Sequence, residues 1–359
     1  MIDLTVLPHN IAVAAAELAK KIDFESISYK GGNGYLLIGR NRQLQRKVVV
    51  KFYYWGDGAH AEPKLLSDLA SPNVLEVHDA AAIDEVDAYF ITPFCEHGDL
   101  DDVMAAGGIG VRAAVDILLD VASGISFIHS KGYLHRDLKP SNVFRRANGS
   151  FVIGDFGSVV KKGDNGYAET ASRHALLYRT PEEVQTNRAY EQSDIYQLGI
   201  ILYQLMGGRL PYDLMEWLDA REKDAYAKLT SPDNEIYANS AFERRIIVRG
   251  KVLDLDSLPA WCPAEVRKVI HRCARVNHEK RFESASALLA KLNNIRAALP
   301  DWRCEPEPVL YRRKAKFRVV SAPGGYAVEK MVATGTIWRK VHAAKRSSLK
   351  EAFQAAESL

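Results

Sequence analysis

The 359-residue chain is long enough for two domains at about 150 residues each. Hydrophobic residues at 47% and charged residues at 26% exclude a disordered, collagen-like or coiled-coil chain. The four cysteines (Cys95, Cys262, Cys273, Cys304) are too scattered for a disulfide scaffold and lack metal-ligand spacing, so they read as reduced thiols of a cytoplasmic protein. A net charge of +3 hides an asymmetry: residues 301–359 hold 12 Lys/Arg against 6 Asp/Glu, which leaves residues 1–300 at −3.

In chain order, the first seven residues lack the basic start of a signal peptide. Asn10 reads as the N-cap of a helix over residues 11–22, with Ile11, Ala15, Leu18 and Ile22 on one side. Residues 27–54 change to short β-branched and aromatic runs broken by glycine, the texture of antiparallel strands. Helical patterning then fills residues 111–299, apart from a loop-like stretch at 135–181. The most apolar segment, 195–206, falls short of the ~18 residues a membrane span needs, so no membrane partner is expected. Polar, proline-containing residues 301–308 read as a linker. Beyond it, 316–320 and 326–332 form a hairpin about Ala322-Pro323-Gly324-Gly325, 336–341 a third strand, and Ser348-Leu349-Lys350-Glu351 opens a final helix.

The strongest local pattern is His135-Arg136-Asp137-Leu138-Lys139-Pro140-Ser141-Asn142, with Asp155-Phe156-Gly157 thirteen residues after Asn142. It sets two carboxylates, a carboxamide and an ammonium on neighbouring loops. Phosphoryl transfer needs such a set: oxygens to hold a divalent ion, a carboxylate to orient the attacking hydroxyl, and a cation to offset charge.

These motifs resemble those of the eukaryotic-like protein kinases, over roughly residues 25–297. The resemblance implies an α+β, bilobal fold: a helical extension (1–24), a β-rich small lobe (25–94), a helical large lobe (95–297), a linker (298–312) and a basic βββα module (313–359). It implies that Asp137 is the catalytic base, that Lys139 meets the γ-phosphate, and that Asn142 and Asp155 hold Mg²⁺, or Mn²⁺ in its place. Val48-Val49-Val50-Lys51 resembles the strand whose lysine pairs the ATP phosphates, and Glu62 the helix glutamate that aims it. Pro63 fits only a first turn, so that helix is expected to start near Glu62 and be short. The phosphate loop is best laid on residues 29–36, keeping glycines at Gly31, Gly32 and Gly34 ahead of Leu36, without the first glycine of the family pattern. Thr92-Pro93-Phe94-Cys95 resembles the adenine-binding hinge, with Thr92 as gatekeeper and Cys95 as inert packing.

Further along, Glu182 of Thr180-Pro181-Glu182 is expected to pair with Arg281, and Asp194 to open the helix that supports the catalytic loop. Residues 213–242 are extra sequence, read as additional helix. Arg136 before Asp137 is the family's sign of control by loop phosphorylation, with Tyr167, Thr170 and Ser172 as candidate acceptors. Ala175 stands where Ser/Thr-directed relatives keep a threonine bonded to the catalytic aspartate. The function implied is an ATP- and Mg²⁺-dependent Ser/Thr protein kinase that also phosphorylates itself. A nucleotide-binding pseudokinase scaffold and a small-molecule kinase stay open as alternatives. For the basic module, a protein or a nucleic acid is the expected partner.

Overall fold

Alternation along one strand sets the architecture of the small lobe. Val48, Val50 and Phe52 point to one face, where they are buried with Ile11, Ala15 and Leu18 of helix α1 (His9–Leu18). Lys51, of opposite parity, is turned to the other face, so a slip of one residue would bury the ammonium beneath α1. The strands β1 (Ile22–Ser28), β2 (Tyr35–Asn41), β3 (Arg46–Tyr54), β4 (Asp79–Ala82) and β5 (Asp87–Pro93) form an antiparallel sheet in the order β1-β2-β3-β5-β4. The computed structural model describes residues 2–28, 34–55, 69–169, 175–304 and 307–359. Gly31, Gly32, Glu62, Pro63, Thr170 and Ser172, and with them the short-helix expectation, lie outside the described residues.

Helix α1 departs from the sequence reading at both ends. It starts after Pro8 with no side-chain cap. The Asn10 amide instead donates to Asp84 (2.7 Å) and Asp87 (2.8 Å) at the β4–β5 turn, where ionised acceptors make stronger bonds than a cap would. Ile22 opens β1 rather than closing the helix, yet it joins the same apolar cluster.

The large lobe holds α2 (Leu100–Ala106), α3 (Val111–Ser130), α4 (Pro181–Thr186), α5 (Glu191–Leu205), α6 (Ala220–Tyr226), α7 (Asp233–Phe242), α8 (Ala264–Cys273) and α9 (Ala285–Arg296). The insertion at 213–242 is helical as expected, in α6 and α7. The stretch read as loop at 135–181 is pinned by short pairs: β6 (Tyr133–Leu134) with β9 (Val160–Lys161), β7 (Val143–Arg145) with β8 (Phe151–Ile153), and β10 (Ala168–Glu169) with β11 (Arg188–Ala189). Among the described residues, no helix is long and apolar enough to cross a membrane.

The C-terminal reading of strands followed by a helix holds, with two further strands ahead of the three. Strands β12 (Asp301–Cys304), β13 (Pro308–Tyr311), β14 (Ala315–Ala322), β15 (Gly325–Val332) and β16 (Arg339–Arg346) form an antiparallel meander, and α10 (Leu349–Ser358) follows. The linker expected over 298–312 is therefore corrected. Trp302 in β12 is fully buried, its ring centroid 4.8 Å from that of Phe353 in an edge-to-face pair and its Nε1 donating to Glu357 Oε1 at 2.7 Å. Beside it, a Cβ at Gly110 would lie 2.3 Å from the Trp302 carbonyl oxygen, so only glycine lets β12 run against the start of α3. The third predicted strand begins at Arg339 instead of residue 336.

Trp302, Leu310, Phe317 and Phe353 belong to the same buried cluster as the α3 and α5 side chains. Trp302→Ala is expected to cost about 3–5 kcal/mol. Urea unfolding followed by two probes, one in each part, should show both shifting together in a single transition.

Candidate active site

Helix α5 grips the 135–142 loop by its backbone. Asp194 accepts from the amides of Arg136 (2.8 Å) and His135 (2.9 Å) and from His129 Nε2 (2.7 Å). One turn on, Gln197 accepts from the Leu138 amide (2.9 Å) and donates to the Arg136 carbonyl (2.8 Å). Burial alone would raise the Asp194 carboxyl, but its histidine and amide donors hold it below the usual carboxylate range. Anchored this way, Arg136 takes a left-handed backbone, with φ 68°.

The loop then presents Asp137. Its Oδ2 accepts from Lys139 Nζ at 2.7 Å and from Asn142 Nδ2 at 3.2 Å. Its Oδ1 is buried and has no hydrogen-bond partner among the described residues. The β7–β8 hairpin brings Asp155 alongside. Val143 pairs Ile153, and the Gly154 amide donates to the Asn142 carbonyl at 2.9 Å. Asp155 Oδ1 meets Lys51 Nζ from β3 and accepts from the Gly157 amide. Burial pushes the Asp155 carboxyl up, and the Lys51 charge and hydrogen bond outweigh it, so the group is held ionised. His135 is fully buried, which keeps its imidazole neutral, and its Nε2 lies 3.2 Å from the Gly154 carbonyl.

At the mouth of the sheet, Gly34 has φ +132°, and a Cβ there would lie 1.9 Å from the Phe52 carbonyl oxygen. Leu36 is half-buried and pairs with Lys51 across β2 and β3. Thr92 is buried in β5, and the Phe94 amide donates to the Lys47 carbonyl. Burial raises the Cys95 thiol, in keeping with an inert packing role. Phe156 is fully buried, its ring 6.0 Å from that of Phe90 in β5.

Below the loop, Arg281 reaches both oxygens of Glu182 at 2.7 Å, as the sequence led us to expect. Tyr167 is held between the Arg188 guanidinium (4.3 Å) and the Tyr190 ring (5.8 Å). A cleft of about 350 Å³ lies next to Lys139, with Ser141, Ala175, Tyr178 and Asp101 in its walls. Among the described residues, no three His, Cys, Asp or Glu side chains cluster as a metal site. The oxygen pair of Asn142 and Asp155 suits an ion that keeps most of its waters, as Mg²⁺ does.

The protein kinase domain profile matches residues 30–292. This chain belongs to the protein kinase domain family. It is 32% identical over 199 residues to the serine/threonine-protein kinase pkn2 of Myxococcus xanthus, covering 51% of this chain and 24% of that protein. Against the serine/threonine-protein kinase PrkC of Bacillus subtilis, identity is 28% over 51% of this chain and 30% of the relative. The CBL-interacting protein kinase 8 of Oryza sativa matches at 27% over 67% and 48% respectively. The chain thus spans between a quarter and a half of the length of these curated relatives.

Two parts of this kinase-domain site were not singled out from the sequence. Gln197 is one, although a polar residue three positions after Asp194 on a buried helix face was its signal. Glu183 is buried beside Arg136 and accepts from the Thr180 amide (3.1 Å) and hydroxyl (2.8 Å). Burial opposes the Arg136 charge, while Glu183, Asp194 and Asp137 support it.

Burial likewise pushes the Glu183 carboxyl up to about 7, against its Thr180 hydrogen bonds. The folded value lies above the unfolded one, so this group's contribution is full below pH ~4.5 and is lost as pH rises towards 7, about 3 kcal/mol in all. Glu183→Gln should remove that slope from a plot of unfolding free energy against pH.

Proposed function

We propose that the chain is a Ser/Thr protein kinase that uses ATP and a divalent ion, Mg²⁺ first and Mn²⁺ as the alternative. The observation that carries the reading is the Asp137 carboxylate: one oxygen committed to Lys139 and Asn142, the other buried and free of partners among the described residues. A buried acceptor left open is costly unless something donates to it in the working state. The hydroxyl of a serine or threonine supplies that donor, and Asp137 then receives its proton as the oxygen attacks. Lys139, 2.7 Å from Asp137, lies where it offsets charge on the group in transfer. Asn142 and Asp155 would hold the divalent ion, which neutralises charge on the nucleotide's terminal phosphates when bound. Lys51 keeps Asp155 ionised and aims a cation at the same point. The acceptor segment enters by the cleft beside Lys139, where Ala175 contributes only a methyl. Protein hydroxyls, including the chain's own, are the substrates we propose, and four free thiols fit a reducing cytoplasm.

Asp137→Ala should lower transfer from γ-labelled ATP to a generic Ser/Thr protein by about 10²–10⁴-fold while leaving nucleotide binding nearly intact. Equal turnover by wild type and variant would remove Asp137 from the mechanism. Mass-spectrometric mapping after incubation with Mg-ATP should place new phosphates on Ser or Thr. A preparation that labels neither itself nor any protein, or that prefers a metabolite, would overturn the reading.

A further inference from the structure

The C-terminal sheet has one face covered and one open. Trp302, Leu310, Phe317 and Val328 turn inward, against Phe353 of α10 and the large lobe. Residues of the opposite parity form the outer face, and these are cations set among aromatics. On β12, β13 and β14, the Arg303 guanidinium and the Lys316 ammonium lie 4.2 and 4.4 Å from the Tyr311 ring. Next to them, Arg318 lies 4.6 Å from the Trp338 ring. Lys340 in β16 follows, opposite Glu329 in the register. Within the strands, the acids on this face, Asp301 and Glu329, are paired with Arg303 and Arg318, each at 2.8 Å.

The same basic surface continues past the C-terminal end of β13. A cleft of about 800 Å³ opens there between the large lobe and the module, far larger than the one beside Lys139. Arg112 forms its lobe side and Arg312, Arg313 and Lys314 line the module side; the carboxylates of Asp301 and Glu357 also reach it, the first paired with Arg303 and the second accepting from Trp302 Nε1. Arg112 is spent on the Leu299 carbonyl, and Arg312 on that of Glu357. Arg313, Lys314 and Lys340 have no acidic partner among the described residues.

From this track of cations, we infer that the open sheet face and its adjoining cleft bind nucleic acid. A run of phosphates is the ligand whose charge complements so many cations on one surface. The Tyr311 and Trp338 rings already carry cations on their faces, so the surface grips backbone and is indifferent to base sequence. The inference is independent of phosphoryl transfer, because the binding needs neither ATP nor Asp137.

The test uses the full chain without nucleotide triphosphate. A fluorescent 20-mer, single-stranded in one arm and duplex in the other, is titrated by anisotropy across a salt series. Comparing the two arms tells which form the surface takes. Binding is expected to weaken steeply with salt and to be insensitive to sequence. Lys314→Glu with Lys340→Glu, both exposed, should weaken it at least tenfold and lower the salt slope by about 2. Lys228→Glu with Lys280→Glu, an equal charge change away from the sheet, should leave it within about twofold. No binding at 50 mM salt, on the order of the ionic strength where phosphate contacts are strong, overturns the inference. So does an equal loss in both double variants, or displacement by polyglutamate as effective as by unlabelled oligonucleotide.

Discussion

Everything at the site depends on two polar side chains, one turn apart, on the buried face of helix α5. Asp194 and Gln197 hold the amides of residues 135, 136 and 138 and the carbonyl of 136. No hydrogen-bond ladder fixes this stretch of loop, so its shape is dictated from α5. The left-handed turn at Arg136 costs free energy that an isolated loop would not bear. Because the clamp acts on backbone atoms, it positions Asp137 whatever its side chain is doing. Removing either clamp residue would strand buried amides and carbonyls, a larger loss than that of one surface hydrogen bond.

Charge inside the large lobe follows the same logic. Glu182 and Arg281 meet through two bonds, and Ser193 adds a third to Glu182 at 2.6 Å. Each buried ion is satisfied by more than one partner, which offsets the cost of desolvating it. Glu183 differs in kind: its hydrogen-bond donors among the described residues, the amide and hydroxyl of Thr180, are both neutral, and burial outweighs them to raise its carboxyl. Arg136 draws support from three carboxylates while its Nε donates to the Ser158 carbonyl. Arg136 therefore has acidic neighbours supplied by the fold itself.

Much of this was legible in the sequence because short motifs encode contacts made within a few residues. The 135–142 run and Asp155 stand together because a tight hairpin joins them, and the parity of β3 alone put Lys51 opposite the α1 face. The Glu182–Arg281 pair spans 99 residues and came only through resemblance. What stayed hidden lacked periodicity. Strands β12 and β13 are four residues each and begin or end beside charges and proline, so their pattern is too short to register. Trp302 looked like a lone aromatic in a linker, because its partner Phe353 lies beyond four more strands. Asn10 read as a cap, since the two carboxylates it prefers arrive from a distant turn.

The way Trp302 is seated bears on how the chain can be cut. The family profile stops at residue 292, and it begins at residue 30, after α1 has already been laid over the sheet. A fragment trimmed to those limits would strip the oily floor from under α3 and the apolar roof from β3 at once. Such a truncated domain would be sticky and short-lived even though every group that handles phosphate was still aboard. In this molecule the scaffold extends well past the catalytic module, at both ends.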